Sequence, residues 1–382
     1  MTGSLYLHRL QPTELFTRMS TPQPPTRLTL LESVRRGGAS TRGDLGQVTG
    51  LSRSVVAQVV SELVAEGLLV ERRISGPVRR GRPTSRVQLA PQQGFAAGID
   101  VSHRHIAVML SELDGEVVRD QEIDFDVDVD SSATFRMARR LLGDAIARAG
   151  LRGRRLVAAG VSLPFPVVGA DRVVAPVGYV PGWDGARPHD LLRLEPGTLL
   201  VVDNDADAGA WGELMQDDTA RSLLFVKVGE GLGSALAVGG QVFGGAHHMA
   251  GEIGHVLVPG SRLPCRCGGV GCLDAVVTRA VDPAASAEEI DAAGAALGGV
   301  LAQLASFVDP DVVVLGGSVG SDPGPFAERI AAGYNALASR IHHAPLRAAV
   351  LGRRSELQGA LDRALCQAWN ALASPSAYAL AR

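Results

Sequence analysis

Three of the chain's four cysteines fall within eight positions, in the stretch CRCGGVGC at 265–272. GEIGH, at 251–255, lies just upstream. A thiol cluster this dense limits the local fold more than any compositional average. The first 25 residues carry Arg9, Glu14 and Arg18 and no continuous apolar stretch, so no signal peptide is expected. The expected setting is the reducing cytoplasm, where clustered cysteines bind metal more often than they form disulfides. At this stage both remain open.

Charge is distributed unevenly. Residues 1–90 hold 13 arginines against 6 acidic residues, a net of +7, so with −3 overall the remainder carries −10. A basic module ahead of an acidic body is what a domain that meets a polyanion requires. The 382 residues allow two or three domains. No apolar run of about 18 residues is evident, so no membrane span is expected. Only one basic residue, Lys227, is a lysine, a skew read here as genome composition.

Residues 1–27 end in STPQPPTR and are expected to form a disordered arm. Residues 28–90 follow a different pattern. LTLLESVRRGG predicts a helix that stops at Gly37-Gly38, and TRGDLGQVTG a second that stops at Gly50. LSRSVVAQVVSELVAEG predicts a third, with Ser52 as its N-cap. Its apolar rows are Val55, Val59, Leu63 and Val56, Val60, Val64. Two strands then flank a loop rich in Gly, Pro and Arg. Three short helices and a hairpin predict an α+β winged helix-turn-helix, with the third helix in the major groove of operator DNA. Arg53, Ser54 and Gln58 are candidates for base edges. Arg79, Arg80 and Arg82 at the hairpin tip suit phosphates or a narrow minor groove.

From 91 onward, two successive sets of β-hairpin, strand and helix predict a duplicated α/β lobe with a cleft between the copies. The expected division is 91–213 for the first lobe and 214–382 for the second.

Over roughly 28–350 the chain resembles the ROK family of sugar-responsive repressors and sugar kinases. The motifs that carry this are GIDV at 98–101, PGW at 181–183, DNDADAGAWGE at 203–213, GEGLG at 229–233, GEIGH, CRCGGVGCLD and VVVLGGSVG at 312–320. The resemblance implies an actin-like, hexokinase-type two-lobed fold. It implies a structural zinc ion on His255, Cys265, Cys267 and Cys272, with the glycines between the cysteines letting the thiolates converge. It also implies sugar contacts from Asn204, Asp205, Glu252 and His255, with Asp274 where the family has glutamate. His255 would serve metal with one ring nitrogen and sugar with the other. Cys366, His247 and His248 are read as plain structural or loop residues.

The kinases of this family use the residue at Asp205 as a base, together with two glycine-rich phosphate turns. Here Ser102, His103 and Arg104 replace the first turn, and Glu230 interrupts the second. Bulky side chains should fill the phosphate space, and a carboxylate beside it repels. Phe165 stands where the family has glycine, and Tyr179 near where kinases often have asparagine. The resulting expectation is a cytoplasmic, dimeric, sugar- or sugar-phosphate-responsive DNA-binding regulator without enzyme activity. The alternatives are an ATP-dependent sugar kinase and a ligand-independent regulator.

Overall fold

The computed structural model describes residues 26–37, 40–73, 85–90, 94–175, 180–217, 220–322, 324–337 and 344–373. Two compact units divide the chain: residues up to Ala90 together with those from Trp369, and Pro91–Ala368. Of the arm expected at 1–27, residues 1–25 lie outside the described residues, and Thr26 and Arg27 already belong to the first helix, so the winged-helix unit starts two residues earlier than expected.

The first unit runs α1 (Thr26–Gly37), β1 (Ser40–Thr41), α2 (Arg42–Thr49), α3 (Arg53–Ala65), β2 (Leu69–Arg73) and β3 (Ser85–Leu89). Its strands form an antiparallel sheet in the order β1-β3-β2. This is the winged helix-turn-helix arrangement. Local chemistry sets the helix ends. Thr41 and Asp44 form a reciprocal capping box on α2, and Gly50 ends it at φ 68°. The Ser52 hydroxyl accepts the Val55 N–H at 3.3 Å and starts α3. Val56, Val59, Val60 and Leu63 pack into a core with Leu30, Leu31, Val34 and Leu45. Val55 departs from the expected row: it is 36% exposed, in the first turn beside Arg53 and Ser54, so that row enters the core only at Val59.

The second unit contains two five-stranded sheets of the same topology. The first uses β4 (Phe95–Val101), β5 (His105–Glu112), β6 (Val117–Asp124), β7 (Leu156–Leu163) and, beyond the hairpin β8 (Val167–Val168) and β9 (Arg172–Val173), β10 (Leu199–Asn204). Its order is β10-β7-β4-β5-β6. The second uses β11 (Leu223–Val228), β12 (Leu232–Val238), β13 (Gln241–Val242), β14 (Val312–Gly316) and β15 (Leu346–Ala348), in the order β13-β12-β11-β14-β15. In both, the first three strands form an antiparallel meander and the last two add in parallel. The duplication expected from element order is therefore present strand for strand. Strands β4, β7 and β14 are buried throughout, as strands covered on both faces must be.

The described helices of this unit are α4 (Ser131–Arg148), α5 (Pro188–Leu192), α6 (Asp205–Met215), α7 (Leu273–Val281), α8 (Ala287–Val308), α9 (Gly317–Ser321), α10 (Pro325–Leu337) and, up to Ala368, α11 (Ser355–Ala373). Two of them cross the expected 213/214 boundary. Helix α6 packs on the second sheet, where a Cβ on Gly209 would stand 2.5 Å from the Phe225 ring. Helix α11 returns to the first sheet, where a Cβ on Gly160 would stand 1.8 Å from the Ala360 carbonyl. The lobes thus exchange helices, and α11 does not close the second lobe as the sequence reading had it. The reason is steric: only glycine lets the Phe225 ring and the Ala360 backbone approach this closely, and no periodicity reports which sheet such a helix will meet.

Helix α8 is long and apolar enough to cross a membrane by length and composition, although no such run was expected. Its apolar face (Leu297, Leu301, Ala302) instead fills the second lobe's core with Ile330 and Tyr334 of α10.

Candidate functional site

A cavity of about 510 Å³ opens where the C-terminal ends of β4 and β11, the start of α6 and the start of α11 converge. Asn204, Asp205, Glu252, His255 and Asp274 all line it, so the structure brings the expected sugar-contact set into one place. Asn204 ends β10 and caps α6, its side-chain oxygen accepting the Ala206 N–H at 2.9 Å. Asp205 follows as the first helical residue and is buried. Glu252 sits three residues before His255 and their side chains face each other at 3.7 Å, Oε2 to Nε2. Asp274 is only partly directed at the cavity. One oxygen accepts the Leu232 N–H at 2.9 Å and the other lies 3.8 Å from the Cys265 sulfur.

Crowding of carboxylates shows in their acidities. Burial, with Asp203 and Asp205 nearby, pushes Asp207 up to about 7. Burial also raises Glu252, against the pull of His255.

Behind this set, His255, Cys265, Cys267 and Cys272 offer ligand atoms that all lie within 4.8 Å of one another. Cys267 and Cys272 are 3.8 Å apart, sulfur to sulfur, and the cysteines are free thiols. That separation is far too long for a disulfide and matches two thiolates at about 2.3 Å from one tetrahedral centre. His255 turns Nδ1 towards Cys265, at 4.0 Å, and Nε2 towards Glu252. The ring thus presents one nitrogen to the thiols and one to the cavity. Bridges Leu257↔Cys272 and Pro264↔Val270 tie the loop into a compact knuckle. Cys366 is half-buried on α11, separate from the cluster.

Of the residues that replace the first glycine-rich turn, Ser102 and His103 also reach the cavity. His103 lines it and is fixed by Asp128, at 2.7 Å, and edge-on against Phe165. Phe165 in turn stacks on Trp183. Burial opposes ionisation of Asp128, but His103 and Arg266 outweigh it and hold the carboxyl low. Arg104 does not fill the cavity. It pairs with Asp126 at 3.2 Å on the exposed side. Glu230 lies exposed at the rim, between Gly229 and Gly231.

The residue that sequence reasoning passed over is Lys227. Its ammonium lies 2.7 Å from Asp205 Oδ2, 3.5 Å from Ser102 Oγ and 3.9 Å from Glu356 Oε1. Burial opposes its charge, but Asp205, Glu356 and Asp100 outweigh burial and raise its pKa. Asp100 is also buried and is held low by His105, at 3.1 Å, and by Lys227. Glu356, missed as well, comes from the far C-terminus. The available signal for Lys227 was its being the chain's single lysine.

In the first unit, Arg53, Ser54 and Gln58 are exposed on α3, with Gln58 donating to Glu62 at 3.0 Å. Arg42 braces the helix, donating to the Ala57 carbonyl and Ser61 hydroxyl while pairing with Glu71. Arg79, Arg80, Arg82, Tyr179 and the His342-His343 pair lie outside the described residues.

The ROK family profile matches residues 96–286, half of the chain. The chain belongs to the ROK family. It is 25% identical to the xylose repressor of Caldicellulosiruptor bescii over 65% of this chain, and spans 62% of that protein's length. A ROK family transcriptional regulator, a homolog of the E. coli MLC protein, superposes with a TM-score of 0.71 at 18% identity, covering 91% of this chain and 97% of its own. A ROK family glucokinase from Streptomyces griseus, solved with glucose and AMPPNP, superposes with a TM-score of 0.60 at 22% identity, covering 71% and 99%. At these identities the two superpositions establish the fold: a two-lobed, hexokinase-like ROK domain preceded by a winged helix-turn-helix.

Proposed function

We propose that this protein is a sugar-responsive, DNA-binding transcriptional regulator of the cytoplasm, a repressor of carbohydrate-utilisation genes that acts as a homodimer. One observation carries the reading. A single chain combines a winged helix-turn-helix with a ROK cavity whose would-be catalytic carboxylate, Asp205, is already paired with Lys227. The polyol end keeps Asn204, Asp205, Glu252 and His255, and these convergent polar groups suit hydroxyl recognition. The nucleotide end holds His103 and Phe165 where close phosphate approach needs bare backbone. The similarity to a xylose repressor supports the same assignment.

Zn2+ is the proposed metal. Three sulfurs and one imidazole nitrogen fill a tetrahedral shell and leave no position for an activated water, so the ion is structural. It holds the His255 ring, and with it the wall of the cavity, in one orientation.

Induction requires that sugar favour the DNA-free state. A coupling of about 1–3 kcal/mol gives a 5–150-fold loss of operator affinity. The test is selection of bound genomic fragments, followed by titration of the recovered operator with candidate sugars. A sugar that weakens operator binding supports the reading. If no sugar alters operator affinity or melting temperature, the protein is a ligand-independent regulator. Incubation with ATP and a panel of hexoses is expected to give no turnover above background, and turnover would make it a kinase.

Arg53→Ala is expected to change preference at particular base pairs, by about 1–3 kcal/mol of discrimination. A uniform loss across sequences would contradict its place at base edges. Arg82→Ala is expected to weaken all sites alike and flatten the salt dependence.

A further inference from the structure

We propose that the Lys227 ammonium is a tethered cation, standing where three converging carboxylates would otherwise bind a divalent metal ion, and that it keeps the cavity metal-free. Asp205 comes from the start of α6, Glu356 from the start of α11 and Asp100 from the end of β4. Asp205 and Glu356 reach the ammonium, at 2.7 Å and 3.9 Å, and Asp100, whose oxygens are held by His105 and Ser162, adds its negative charge nearby. Three carboxylates brought together from three elements repel unless a cation sits among them.

Two further observations point to the same role. Glu356 Oε1 is buried, aimed at this point and has no hydrogen-bond donor among the described residues, while the residue is only 4% exposed. Electrostatic attraction to the ammonium is what remains to it, and burial pushes this carboxyl up to about 7 despite Lys227. The second observation is compositional. The chain uses arginine at 36 of 37 basic positions, so the exception marks a place where a guanidinium does not serve. A planar fork satisfies one carboxylate from one direction, whereas a compact ammonium can donate to several acceptors around it. The strands agree, because Lys227 is flanked in register by Gly233 and Gly316, which leave lateral room for its side chain.

A divalent ion bound by carboxylates is what phosphoryl transfer on a nucleotide needs. Lys227 supplies one fixed charge in its place, which holds Asp205 but cannot bridge to phosphate oxygens as an exchangeable metal ion does. The inference does not depend on sugar or DNA binding, and its test uses neither.

The probe is Mn2+, followed by electron paramagnetic resonance on zinc-loaded, full-length protein. The wild type is expected to show no Mn2+ site in this cavity. Lys227→Met removes the charge and retains much of the volume. It is expected to gain one Mn2+ site, at least ~10-fold tighter than anything in the wild type. Lys227→Met combined with Glu356→Gln is expected to lose it again. Melting curves confirm folding, and Lys227→Gln replaces the methionine variant if that one does not fold. A wild-type Mn2+ site that Asp205→Asn abolishes would overturn the proposal. So would a folded Lys227 variant that gains no Mn2+.

Discussion

With zinc as the proposed metal, Cys267→Ser is expected to lower bound zinc from about one ion per chain to near zero and to abolish any response to sugar. Cys267 supplies one of three sulfurs in a shell whose atoms lie within 4.8 Å of one another, and serine's hydroxyl is a poor substitute for a thiolate. The loss spreads because the loop is held by backbone hydrogen bonds and the ligand cluster, with few buried apolar side chains. Its bridges, Leu257↔Cys272 and Pro264↔Val270, are isolated pairs, and Leu257, Leu263 and Val270 are exposed. His255 would then lose the partner that fixes Nδ1, and the Nε2 face towards Glu252 would no longer be pre-set. Metal analysis, and hydrogen exchange over residues 256–272, check the two halves of this outcome. Cys366→Ser, on α11, is expected to keep its zinc. Full occupancy in Cys267→Ser would show that the ligand set is wrong.

Glu213→Ala destabilises the second unit by about 3–5 kcal/mol, because it strips a buried charge from the partners that satisfy it. Glu213 is fully buried on α6. Its carboxylate accepts the Val350 N–H at 2.9 Å, the Leu351 N–H at 2.8 Å, the Ser355 hydroxyl at 3.2 Å and Arg347 Nη1 at 3.0 Å. Alanine leaves these donors without their acceptor and opens a cavity. The melting temperature falls by on the order of 10 °C. Glu213→Gln, which keeps one accepting oxygen, loses less. The same carboxylate fixes the turn that begins α11, so the alanine variant also loosens the delivery of Glu356 into the cavity. A change below about 1 kcal/mol would mean that the 350–355 turn holds by other contacts.

Local chemistry made much of the fold readable. Capping residues and turn glycines are short-range signals, so Ser52 and Gly50 bound the winged-helix elements where expected. The duplicated order of elements was legible too, since each lobe repeats the same hairpin-then-strand plan within its own stretch of chain. The thiol cluster was legible because its ligands lie close in sequence. Other features failed for a common reason. The expected 213/214 boundary did not anticipate where helices α6 and α11 pack, because their partners are chosen by glycine-mediated contacts such as Gly209 on Phe225 and Gly160 on Ala360. Arg104 was expected to fill the phosphate space, but Asp126 draws it to the surface.

By itself, the sequence determined that a basic winged helix precedes two like α/β lobes, and that one histidine and three cysteines form a metal-type ligand set. It did so because caps, periodicity and ligand spacing act over a few residues. Only the tertiary structure decided what surrounds Asp205. Lys227, Asp100 and Glu356 are separated by more than a hundred residues of chain in each direction, and their meeting depends on two helices packing on sheets distant in sequence. Charge pairing at 2.7 Å depends on distance in space, which no local pattern encodes.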